Sequence, residues 1–180
     1  MNINKKFNIS IVGISIVTLS IGFFILHGYA KQAEKETYLQ IKNSLKISAI
    51  SKINEKKVVG LTNAIGIAND TKIKKALRLS QRQLAIISLK NVSDSYKKNT
   101  PFKNIKIHIH KKDNTSYVRS WKLDSHDDDL SSFRSSVVKA NKTEQAITTF
   151  EVGKAGLGLR AVVPNNDNGT HLGSLESYKV

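Results

Sequence analysis

Three arginines, a tryptophan and a glutamate in the C-terminal half carry the chemistry this chain could do. Arg119 and Trp121 stand two residues apart in the run Tyr117-Val118-Arg119-Ser120-Trp121, so on a strand they share one face. A guanidinium offers a fork of donors matched to a carboxylate, and an indole beside it offers a flat apolar wall. Arg134 and Arg160 lie in two other segments that could converge on the same space. Glu151 could hold a ligand ammonium or tie down an arginine. The expectation is a pocket for a small organic acid or amino acid lined by Arg119, Trp121, Arg134, Glu151 and Arg160. The same residues allow another arrangement, with Trp121 in the core and arginines paired to Asp128, Asp129 or Glu151.

Other chemistries are weaker. His108 and His110 are spaced to share a strand face, which is compatible with metal ligation. Exposed edge histidines are commoner, and no carboxylate of obvious spacing joins them, so no metal is expected. The run His126-Asp127-Asp128-Asp129 lacks the alternating ligands and glycine of a calcium loop and reads as a helix cap. Gly153, Gly156 and Gly158 join two strands with no helix following, which excludes a phosphate-binding turn. The chain has no cysteine. No nucleophile with a neighbouring base and no cofactor motif appears, so a non-catalytic, cofactor-free protein is expected.

The chain has 180 residues and 39% hydrophobic content, enough for one modest core. Its net charge of +15 is concentrated between residues 31 and 100, where 15 Lys and Arg face 5 Asp and Glu. Those lysines are scattered among Asn, Ile and Ser without an arginine block or interleaved aromatics, which argues against nucleic acid as a partner.

The elements that must position the site begin with an anchor. Residues 7–27 form an apolar stretch after Lys5 and Lys6 that is long enough to cross a bilayer, with 1–6 as a cytoplasmic stub. Gly28-Tyr29-Ala30 leaves a cleaved signal peptide as the rival. Either reading exports the rest, and with the anchor uncleaved the expectation is an inner-membrane protein with its bulk extracytoplasmic. Residues 28–100 read as a long helix and a second helix; the long one, about 40 residues and some 60 Å at 1.5 Å per residue, needs a partner helix from a second copy or from the rest of the domain, with a homodimer as the expectation. Gly60, Gly66 and Asn69-Asp70-Thr71 mark a break, after which Asp70 or Thr71 would cap a second helix running through Lys72 towards Lys90. From Pro101 the period changes to two: a strand at Ile105–Ile109, a turn at Lys112-Asp113-Asn114 and a return strand over Tyr117–Leu123. A short helix from Leu130 to about Asn141, capped by Asp127–Asp129, precedes strands at Ala146–Val152, Leu157–Val163 and Leu172–Tyr178. Turns at Gly153-Lys154-Ala155-Gly156 and Pro164–Gly169 separate them. The fold class is α+β, a five-stranded antiparallel sheet over residues 101–180 with helices on one face and a short helix across it.

The residues that carry a family likeness are the anchor, the long helix with its Gly-Ile-Ala-Asn-Asp break, Tyr117–Lys122, Asp128–Arg134, Phe150–Arg160 and Asn168–Glu176. In this order they resemble the Cache family of extracytoplasmic sensor domains, in particular those of bacterial methyl-accepting chemotaxis receptors, with a PAS-like sheet. The resemblance implies a receptor that binds a small molecule outside the cell and signals inward along its helices. Such receptors continue into a second membrane helix and a signalling region, whereas no second apolar run precedes Val180. The expectation is therefore a sensor truncated before its output. An anchored interaction protein docking an acidic partner through its basic helix is the alternative, as is the sensor half of a histidine kinase or diguanylate cyclase.

Overall fold

The computed structural model describes residues 3–101, 105–153 and 156–179. Met1 and Asn2 of the expected stub, and Lys154 and Ala155 of the expected glycine turn, lie outside the described residues. The chain divides into two compact units, residues 1–51 and 52–180.

Helix α1 runs without interruption over Ile3–Ala68. Its first unit contains a window apolar and long enough to cross a membrane. Ser10, Thr18 and Ser20 return their hydroxyls to carbonyls three or four residues back, which satisfies them without water. From Tyr38 to Ile53 the large apolar side chains remain exposed.

In the second unit α1 ends at Ala68, where the sequence predicts a break, and Asp70 caps α2 (Thr71–Arg78) by accepting from Lys72 N at 2.7 Å and Ile73 N at 3.3 Å. Such a cap contributes about 1 kcal/mol. The expected single second helix is two. Leu79 closes α2, Ser80 takes a left-handed φ of 54°, and α3 spans Arg82–Asn99. No Gly or Pro marks this corner. Tertiary packing drives it, because only a bent path buries Ile73 and Ala76 of α2 together with Ala85 and Leu89 of α3 in one core.

Five strands follow: β1 (Ile105–Lys111), β2 (Ser116–Arg119), β3 (Ile147–Gly153), β4 (Gly156–Asp167) and β5 (Thr170–Lys179). They form one antiparallel sheet in the order β2-β1-β5-β4-β3. The five-stranded α+β expectation holds. Ile107, Ile109, Ala161, Val163 and Leu175 face the end of α1 with α2 and α3. A bulge between Ile109 and His110 puts Tyr117 and Val118 together in that core, where the Tyr117 hydroxyl donates to Ala76 O at 2.9 Å. Burying each large aliphatic side chain here contributes about 1.5–3 kcal/mol.

The opposite face is covered by α4 (Ser135–Thr143), which packs Val137 and Ala140 with Leu130 on Val162. This helix starts five residues later than its apolar spacing suggests, and the aspartates do not cap it. Asp129 instead accepts Ser131 N in a local turn, while the N–H of Ser136 in the first turn of α4 is satisfied at 2.9 Å by Glu151 of β3. β2 is likewise shorter than expected: after Arg119 the chain turns, with Lys122 N donating to Arg119 O. The Pro164–Gly169 loop contracts to a turn at Asn168-Gly169, because β4 continues to Asp167 past an irregularity at Asn165. Gly173 is required where β5 meets β1, since a Cβ there would stand 2.1 Å from His110 O.

Candidate functional site

β2 and β3 occupy opposite edges of the sheet, so the segment between them, including α4, crosses the face that carries the polar alternation of the strands. His108 and His110 from β1, Arg119 from β2, Glu151 from β3, Arg160 from β4 and Glu176 from β5 all lie there. Arg134 enters from above, at the N-cap of α4. All of these are buried. Because α4 excludes water, each needs an internal partner.

The partners are mostly carboxylates of the same chain. Arg119 Nη1 and Nη2 hold Asp128 in a bidentate pair at 2.7 Å each, and Nη1 also donates to Ser125 O and Oγ. Arg134 Nε donates to Glu151 Oε2 at 2.8 Å, and its Nη2 donates to Glu176 Oε2. Arg160 Nη1 donates to the other Glu176 oxygen at 2.5 Å and its Nε lies 3.6 Å from Glu151. Ser135 and Ser136 hydroxyls complete the shell of Glu151 at 3.1 and 2.8 Å.

Burial alone pushes the Glu151 carboxyl up, but Ser136 N–H, the Arg134 guanidinium and the Ser136 hydroxyl outweigh it and hold the group below its ordinary value. For Arg134, burial works against the charge, and Glu176 and Glu151 more than restore it. His108 and His110 are pushed well below the ordinary imidazole value, first by burial and then by neighbouring positive charge.

Four of the five sequence-predicted site residues, Arg119, Arg134, Glu151 and Arg160, thus reach one layer; Arg119 pairs with Asp128 and Arg134 with Glu151 as the second arrangement anticipated, while Arg134 and Arg160 share Glu176, which it did not name. Asp128 rather than Asp129 takes Arg119. Trp121 is not on the strand with Arg119. It lies in the following turn, 39% exposed, with its ring edge-on to His108 at 5.7 Å and Lys106 over its face. Of the five, it alone lines the groove of about 510 Å³ beside α3, together with Lys90, Lys97, Lys106, Ile86 and Leu123.

The histidines differ most from expectation. They are not exposed edge residues: β1 lies inside the sheet, and His108 and His110 are 1% and 0% exposed. A carboxylate does join them, because Glu176 is the register partner of His108. Glu176 was missed as a site residue. The available signal was phase, since Ser174 and Glu176 alternate with Leu175 in β5, as His108 and His110 alternate with Ile107 and Ile109 in β1.

Comparison with known proteins places this geometry in a family. No curated protein matches the sequence. Among solved structures, the sensor domain of DcuS from E. coli superposes with a TM-score of 0.51 at 14% identity, covering 71% of this chain and 90% of that one. The sensor domain of the histidine kinase DctB from V. cholerae superposes at 0.52 and 16% identity, over 78% of this chain and 56% of that one. A domain of a putative sensory box/GGDEF family protein from Vibrio parahaemolyticus superposes at 0.50 and 16% identity, over 77% and 59%. The chain therefore spans just over half the length of the two Vibrio domains. These likenesses show the Cache-type, PAS-like fold. Residues 38–179 match the model of dCache_3, the double sensory domain of two-component sensor kinases. The chain belongs to the dCache_3 family of Cache sensory domains.

Proposed function

We propose that this chain is the extracytoplasmic part of a small-molecule receptor in the inner membrane, anchored by residues 7–27, with an organic acid or amino acid as its ligand. The observation that carries the ligand class is the set of three guanidiniums, Arg119, Arg134 and Arg160, gathered on one sheet face with carboxylates as their charged partners. A ligand carboxylate is chemically equivalent to Asp128 and would take its place on Arg119 by exchange, because Asp128, 35% exposed, can return to water. Trp121 would wall the approach. Calorimetry of the full chain in detergent against succinate and glutamate tests this. Binding that weakens about 10-fold or more in Arg119→Ala and Arg160→Ala, the loss of one charge-assisted contact, supports the pocket. Wild-type affinity in both variants sinks it.

The family description and the kinase likeness favour a sensor-kinase output over a chemotaxis receptor, and the coding sequence after codon 180 distinguishes them.

The same reading makes the functional unit a homodimer through α1. Leu39, Leu45, Ile47 and Ile50 stand exposed on a helix too long to bury them alone. Because the protein has no cysteine, Leu45→Cys is a clean reporter. In intact cells it is expected to react with a membrane-impermeant maleimide, and on oxidation to run as a disulfide-linked dimer. Labelling only after lysis sinks the orientation, and a persistent monomer sinks the dimer.

A further inference from the structure

We infer that His108, His110 and Glu176 form a binding site for a divalent transition-metal ion, with two imidazole nitrogens and one carboxylate oxygen as protein ligands. One potential ligand atom from each of the three lies within 4.8 Å of the others, and all three residues are buried. Two histidines two apart on a strand present their rings to one side, and the third ligand comes from the hydrogen-bonded neighbour strand, so the sheet itself sets the spacing.

The hydrogen bonds around the rings orient them as a metal site requires. His110 Nδ1 is 3.0 Å from Ser174 Oγ, which directs Nε2 inward. That Nε2 is buried, has no hydrogen-bond partner among the described residues, and faces Glu176 Oε2 at 3.9 Å. This is too long for a hydrogen bond. Two ligand atoms on a tetrahedral zinc stand about 3.4 Å apart, so closing on an ion requires a shift of only about half an ångström. His108 Nε2 is held by Ser116 Oγ at 2.8 Å, and its ring centroid lies 4.1 Å from that of His110. The Glu176 oxygens accept from Arg134 and Arg160, in the position of outer-shell donors that fix a ligating carboxylate.

The donor set, two imidazoles and one carboxylate, selects the ion. Arg119, Arg134 and Arg160 are matched by Asp128, Glu151 and Glu176, so a dication adds uncompensated charge to a buried layer. A hard ion such as magnesium or calcium, which depends on oxygen ligands and charge, is disfavoured. Zinc, copper and nickel, which bond well to imidazole, are favoured.

Titrating Zn²⁺ into the full chain in detergent, after chelator treatment, is expected to show one equivalent bound. His110→Ala is expected to weaken binding by on the order of 100-fold, and Glu176→Gln to weaken it as well, whereas His126→Ala, at an exposed histidine, leaves it unchanged. Mg²⁺ is expected not to compete. Absence of a one-equivalent site, equal affinity in His110→Ala, or loss in His126→Ala overturns the assignment. If His110→Ala does not fold, the electron paramagnetic resonance spectrum of Cu²⁺ on the wild-type chain decides: coupling to two imidazole nitrogens upholds the site, and one or none overturns it.

Discussion

Glu176→Gln is expected to destabilise the sheet domain by about 3–5 kcal/mol, the cost of removing one partner from a buried ion pair, read as a fall in melting temperature of the order of 10 °C when Trp121 fluorescence follows unfolding. Glu176 is fully buried, and its two oxygens bind two different guanidiniums. The amide that replaces it has the same shape and one carbonyl oxygen, but no charge. Arg134 then keeps Glu151, while Arg160 retains only the longer approach to that residue. The excess positive charge cannot leave the layer, because α4 covers it. Asp167→Asn is the control: its partner Arg78 is half-exposed, and a surface pair contributes about 0–1 kcal/mol. Equal, small effects of the two variants would show that the central network is not desolvated.

Acid is expected to unfold the metal-free protein steeply, beginning just below the unfolded imidazole value. His108 and His110 titrate near 6.5 when unfolded and well below that when folded. Between those values the unfolded chain binds two protons that the native chain does not, so stability rises with pH there. Their contribution is complete above about pH 6.5 and is lost as pH falls towards the folded values, at up to about 2.7 kcal/mol per pH unit for two groups. Burial is the first cause of the depression, and the groups facing the rings add to it. Arg119, Arg134 and Arg160 oppose an added proton, and Glu176, which faces His110 Nε2, already serves two arginines. Glu151 acts in the same direction at lower pH: its folded value is depressed, so its contribution is present above the unfolded carboxyl value and lost as pH falls through the folded one. Denaturant melts of chelator-treated protein from pH 8 to pH 5 measure the slope. His110→Gln is expected to remove about half of it between pH 6.5 and 5.5. A slope unchanged by that variant would place the acid sensitivity elsewhere.

Much of the fold was legible because it rests on local rules. Alternation of Ile105, Ile107 and Ile109 and the Asp113-Asn114 turn each follow from side-chain phase or left-handed backbone propensity within a few residues. Asp70 is recognisable as a cap for the same reason. Where helix boundaries were missed, the deciding contact was distant in sequence. The bend at Ser80 serves packing of two helices on the sheet. The start of α4 depends on Glu151, 15 residues beyond the Ser136 N–H it accepts from. Trp121 left the strand at the turn closed by Lys122 N and Arg119 O.

The site divides the same way. Sequence alone determined the long apolar N-terminal helix, the α+β order, and that His108 and His110 share a strand face, since a period of two assigns faces without knowing what covers them. It also named four of the buried charged residues, because arginines and a glutamate in apolar segments are conspicuous. Only the tertiary structure decided that the polar face is buried, that the arginines are matched by Asp128, Glu151 and Glu176, and that two histidines have a carboxylate beside them. The physical reason is strand order: β1 and β5 are adjacent, so residues 108 and 176 become register partners, and no local propensity encodes that pairing.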